Sequence, residues 1–128
     1  MSAGARILVV DDERSMREFL EILLRKEGYD VTTVGDVDAA LVALDSDDFD
    51  LVISDIQMPG KSGLDLLRSI REAQGEALVV MITAFATTET AIAAMKEGAY
   101  DYLTKPFKVD EIKLVVQKAL EKKLLTSE

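Results

Sequence analysis

The chain contains no cysteine and no histidine. Without cysteine there is no disulfide, no thiol nucleophile and no zinc-thiolate centre. Without histidine, imidazole is removed as a covalent acceptor. Basic charge is also scarce: 15 lysines and arginines stand against 24 acidic residues, a formal charge of -9. That balance argues against a clamp on nucleic-acid phosphates and points to proteins or cations as partners, with no direct nucleic-acid contact. Long apolar runs are missing too. The first, Ile7 to Val10, stops at Asp11 and Asp12, and no later one approaches a membrane span or a signal-peptide core. A cytoplasmic location away from membranes is therefore expected. There is no internal repeat, low-complexity tract or interdomain linker.

What remains is a composition of 48% apolar and 30% charged residues over 128 positions, enough for one globular domain with a real core and too little for two. The whole of 1–128 is read as that domain, with 1–5 and 123–128 as loose ends or a continuation toward a further domain.

Short apolar runs alternate with helical stripes. Ile7 to Val10, Leu51 to Ile53 and Leu78 to Ile82 are continuous, the mark of strands buried on both faces. Val31 to Val34 and Ala99 to Leu103 are weaker and read as edge strands. Met16, Phe19, Leu20, Leu23 and Leu24 share one helix face, as do Ile112, Val115, Val116, Ala119 and Leu120. Val37, Ala40, Leu41 and Leu44 mark a second helix, Leu64, Leu67 and Ile70 a third, and Thr88, Ala91, Ile92 and Met95 a fourth. Gly28 and Gly98 stand where helix ends are expected. A β-α repeat with right-handed crossovers gives a doubly wound α/β sandwich, and placing the second and fifth strands at the edges gives the flavodoxin-like order 2-1-3-4-5.

In such sheets ligands bind beyond the carboxyl ends of the strands, where the order reverses. Asp11 and Asp12 end the first strand, Asp55 the third and Thr83 the fourth, and the fifth runs into Lys105. Three carboxylates converging there would raise one another's pKa unless a cation intervened, and a hard divalent ion bound through oxygens resolves the conflict. Magnesium suits best, with manganese as a substitute. Lys105 and Thr83 then supply an ammonium and a hydroxyl for phosphoryl oxygens. With cysteine, histidine and strand-end serine all lacking, the covalent acceptor is a carboxylate, and Asp55 is central.

The segments Val9-Val10-Asp11-Asp12-Glu13, Ser54-Asp55-Ile56-Gln57-Met58-Pro59-Gly60, Ile82-Thr83-Ala84 and Tyr102-Leu103-Thr104-Lys105-Pro106-Phe107 resemble, in order, the motifs of receiver domains of two-component response regulators. The run from Ala91 to Phe107 is similar to receivers of the NtrC type, which precede sigma-54 activator modules. The resemblance implies phosphorylation of Asp55 by a sensor histidine kinase, and magnesium held by Asp12, Asp55 and the Gln57 backbone carbonyl with help from Asp11. It further implies Thr83 and Tyr102 as switch residues, Lys105 as the phosphate contact and a cis Lys105-Pro106 bond. The output, transcription in such regulators, would follow a change in the surface of the fourth helix, fifth strand and fifth helix. A homodimer through that surface, or through a last helix extended by Leu124 and Leu125, is an accompanying expectation. Gln57 and Phe85 would flank the acyl phosphate, with Phe85 hindering water.

Single residues have plainer explanations: Asp12 as a helix N-cap, Thr83 as a strand terminus, Tyr102 as an edge aromatic, Lys105 as a solvated lysine. These do not account for convergence on one sheet edge. Asp36, Asp38, Asp45, Asp47, Asp48 and Asp50 read as capping and surface carboxylates. Gly60-Lys61-Ser62 copies the end of a P-loop, but Asp55 occupies the first glycine position and Pro59 removes an N–H from the cradle. A calcium loop from Asp45 fails at Asp50 and Ile56. An aspartyl phosphatase of the haloacid-dehalogenase kind needs an acid where Gln57 stands, and a phosphorylation-independent docking module leaves the polar set unexplained.

Overall fold

The computed structural model describes residues 4–73, 75–84 and 88–126. Among them strands and helices alternate as β1 (Arg6–Val10), α1 (Arg14–Lys26), β2 (Asp30–Val34), α2 (Val37–Ser46), β3 (Leu51–Asp55), α3 (Gly63–Glu72), β4 (Leu78–Thr83), α4 (Thr88–Lys96), β5 (Asp101–Thr104) and α5 (Val109–Thr126). The five strands form one parallel sheet in the order β2-β1-β3-β4-β5, with the weakly apolar strands at its edges.

The continuous apolar runs are explained by helices covering both faces. Leu8, Val10, Val52, Val79 and Met81 point to one side, where Val37, Ala40, Leu66, Leu67, Ile70 and Ala94 pack on them. Ile7, Val9, Ile53, Val80 and Ile82 point to the other, under Leu20, Leu24, Ile112, Val116 and Ala119. Each fully buried leucine or isoleucine contributes roughly 1.5 to 3 kcal/mol over its exposed state, so these two layers dominate the stability.

Local signals set the helix ends. Asp36 accepts from the Ala39 N–H at 2.7 Å as the N-cap of α2. Ser62 and Asp65 form a capping box that starts α3, so Gly60-Lys61-Ser62 is a helix-opening turn. Gly28 and Gly98, with φ of 93° and 99°, carry the left-handed turns after α1 and α4.

Two elements depart from the sequence pattern. β5 begins at Asp101 rather than Ala99, because the Ala99 N–H donates back to the Ala94 carbonyl at 3.0 Å and belongs to the end of α4. In α4 Ala94 is buried, whereas Ile92 and Met95 are 47% and 45% exposed. Alanine on the inner face lets α4 lie close to the sheet, and its larger side chains turn outward beside Tyr102. At the chain ends, the Gly4 N–H donates to the Gly28 carbonyl, the Ala5 carbonyl accepts from Asp30, and Lys123 lies within α5.

Candidate functional site

Register brings the polar residues together. Val10 pairs with Ser54 across β1 and β3, so the next residues, Asp11 and Asp55, emerge side by side. Asp55 pairs with Ile82, which puts Thr83 one step further along β4. Thr83 in turn pairs with Thr104, and the Lys105 N–H extends that ladder by donating to the Thr83 carbonyl at 2.8 Å. The Lys105-Pro106 peptide that follows is cis.

One carboxylate oxygen from each of Asp11, Asp12 and Asp55 lies within 4.8 Å of the others. Asp11, Asp55 and Thr83 are buried, while Asp12 is exposed. Buried carboxylates in this number require a counter-charge. Lys105 supplies it: its Nζ donates to Asp55 Oδ2 at 2.9 Å and to Asp11 Oδ2 at 3.1 Å, and lies 3.6 Å from Glu13 Oε1. Burial alone would lower the pKa of this ammonium, but its hydrogen bonds to Asp55 and Asp11 and their charges outweigh that, leaving it above the ordinary lysine value. Lys105 therefore stays protonated throughout the physiological range.

Backbone donors fix the carboxylates. Asp55 Oδ1 accepts from the Gln57 N–H at 3.0 Å and Asp11 Oδ1 from the Glu13 N–H at 2.9 Å. The Ser54 hydroxyl donates to the Asp55 carbonyl, and Gly63 packs so tightly behind it that an added Cβ would overlap that carbonyl oxygen. A cavity of about 210 Å3 opens above the strand tips, lined by Asp12, Glu13, Asp55, Gln57, Thr83, Ala84 and Lys105.

Of the residues singled out in the sequence, Asp11, Asp12, Asp55, Gln57, Thr83 and Lys105 thus meet at one place. Tyr102 does not line this cavity; it stands 36% exposed beside Ile92 and Met95. Asp12 is not the N-cap of α1, a position held by Glu13. Phe85 lies outside the described residues, as do the side chains of Leu124 and Leu125. Glu13 was not singled out as a site residue, although its place third in an acidic run was the available signal.

A family model described as the response regulator receiver domain matches residues 7–117. The chain belongs to this family. The haloacid-dehalogenase alternative falls with that membership. Among relatives, the receiver is 37% identical to the regulatory protein AtoC of Escherichia coli over 94% of this chain and 26% of AtoC. Among solved structures, NtrX of Brucella abortus superposes with a TM-score of 0.90 at 41% identity, covering 97% of the receiver and 29% of NtrX. TrrA of Thermotoga maritima, determined in complex with Mg2+-BeF, gives a TM-score of 0.82 at 40% identity over 91% of the receiver and 99% of TrrA. The receiver therefore spans about a quarter of the length of AtoC. AtoC and NtrX support the likeness to NtrC-type regulators.

Proposed function

We propose that this receiver is a phosphorylation switch in which Asp55 takes a phosphoryl group from the phosphohistidine of a sensor histidine kinase, or from a small donor such as acetyl phosphate. The observation that carries the reading is the Lys105 ammonium bonded to both Asp55 and Asp11 where three carboxylates converge. In the transfer an Asp55 oxygen forms a bond to phosphorus as the bond from phosphorus to the donor's nitrogen or acyl oxygen breaks. Lys105, already protonated, offsets charge on the equatorial oxygens, and the Thr83 hydroxyl meets another of them.

The donor set fits a hard divalent cation: three carboxylate oxygens gathered within 4.8 Å beside an open cavity. Asp11, Asp12, Asp55 and the Gln57 carbonyl would hold magnesium, or manganese in its place. The ion supplies charge neutralisation for the transferring group. The TrrA complex with Mg2+-BeF supports this choice.

Once Asp55 is modified, Thr83 and Tyr102 shift and the surface of α4, β5 and α5 exchanges between two states of different partner preference. Exposed Ile92, Met95 and Tyr102 make that surface apolar enough for a dimer or a neighbouring domain. We assign a regulatory output, transcription, exerted through partners rather than by direct contact with nucleic acid. No helix among the described residues is long and apolar enough to cross a membrane, and we place the protein in the cytoplasm. The receiver supports its own phosphotransfer and dephosphorylation without being a conventional enzyme.

The test is intact-protein mass after incubation with acetyl phosphate, with and without magnesium, on wild type and Asp55→Asn. One phosphate-sized gain that requires both the metal and Asp55 is expected. Gain in Asp55→Asn would overturn the assignment, and no gain from acetyl phosphate or a cognate kinase would leave a docking module.

A further inference from the structure

The acidic turn after β1 is held from both sides. Lys105 meets its carboxylates from the β5 side. From α1, Arg17 Nη1 donates to the backbone carbonyl of Asp11 at 2.7 Å. That carbonyl belongs to the peptide joining Asp11 to Asp12, so the bond sets the plane from which the exposed Asp12 carboxylate departs. The same peptide unit is flanked by two more bonds: the Asp11 N–H donates to the Val34 carbonyl at 3.2 Å, and Asp11 Oδ1 receives the Glu13 N–H. Arg17 reaches the turn past Gly35, where an added Cβ would lie 3.3 Å from Nη1. Gly35 is not in the left-handed region, so the closeness of Arg17, not backbone strain, is what alanine there would meet.

We propose that Arg17 is a positioning residue for divalent-cation binding: it locks the Asp11-Asp12 peptide so that the Asp12 carboxylate faces Asp55, and Gly35 provides the space for it. The inference rests on the reading of the three carboxylates as a cation site. Its sign separates it from a plain charge effect. A guanidinium beside carboxylates repels a metal, so if Arg17 acted only as a charge, its removal would tighten binding. As a clamp, its removal weakens binding, by about tenfold as for other groups that orient metal ligands.

The experiment titrates magnesium alone into wild type, Arg17→Met, Arg17→Lys, Gly35→Ala and the Arg17→Met/Gly35→Ala double variant, read by calorimetry. Amide exchange of residues 11–13 in the metal-free protein is read in parallel. Arg17→Met should bind magnesium about tenfold more weakly and exchange faster at Asp12. Arg17→Lys, which keeps a cationic donor group, should recover part of both. Gly35→Ala should weaken binding by a smaller factor, and that factor should vanish in the double variant, because both changes act through one bond. Tighter or unchanged binding in Arg17→Met, or additive effects of the two substitutions, would overturn the clamp. A wild type that binds no magnesium would instead remove the reading on which it rests. Unfolding curves on each variant confirm that the comparison is made on folded protein.

Discussion

Replacing Asp12 by asparagine takes one carboxylate out of a group of three while keeping its size. In the metal-free receiver Asp12 faces Asp11 and Asp55 across at most 4.8 Å, and each such pair repels by about 0.9 kcal/mol even at the dielectric constant of water. Lys105, bonded to Asp11 and Asp55, returns attraction that offsets roughly one of the two repulsions. The net relief is about 1 kcal/mol in low-salt buffer, and physiological salt cuts it by nearly half, because the separation is a little over half a Debye length of about 8 Å. Asp12→Asn should thus be more stable than wild type without magnesium, with a urea midpoint higher by about 0.5 M. Added magnesium should reverse the ranking. Wild type gains stability with ligand concentration according to the linkage relation, whereas the variant has lost a ligand and gains little. The assay is urea unfolding followed by far-ultraviolet circular dichroism, with chelator or with millimolar magnesium. A variant less stable than wild type under chelator, or one that keeps the full magnesium response, would refute the account of the site as carboxylates in mutual repulsion.

Lys105→Met should destabilise the metal-free protein by about 3 kcal/mol, since it strands two buried carboxylates. Because the folded-state pKa of Lys105 is raised, its contribution is complete below the ordinary lysine value of 10.5 and is lost as pH climbs through the folded value. The stability gap between Lys105→Met and wild type should therefore be flat from about pH 7 to 9.5 and shrink above, as measured by unfolding at each pH. Gly63→Ala should cost about 2 kcal/mol, visible in the same urea curves, because its Cβ meets the Asp55 carbonyl with no flexible group to yield. Thr83→Ala should still accept phosphate, read by intact mass, yet fail to transmit it, read as unchanged NMR shifts at Tyr102 and along α4 when acetyl phosphate is added.

The fold was legible because β1, β3 and β4 each carry a continuous apolar run, as strands of a sheet covered on both faces do. The site followed from the same reading, since Asp11, Asp55, Thr83 and Lys105 sit at the ends of runs whose ends must lie together. What escaped were contacts that depend on side-chain reach. Arg17 lies six residues after Asp11 on a helix, and nothing in its spacing announces a bond to a backbone carbonyl. Glu13 stood in an acidic run that could have flagged it, but its approach to Lys105 depends on a side-chain path that sequence does not give. The phase of α4 was misread because Ile92 and Met95 look like core residues by composition, whereas close approach to the sheet selects Ala94. The start of β5 was misplaced because Ala99 is apolar enough for a strand and is taken instead by the helix end before it.

The hydrogen bonds of Lys105 to Asp11 and Asp55 span 94 and 50 residues. During synthesis the acids leave the ribosome first and wait unpaired until the fifth strand has followed and docked. Contacts so distant in the chain form late. The proposed phosphoryl site is therefore complete only when the last strand is in place, and a receiver truncated before it keeps the Asp55 carboxylate without its ammonium.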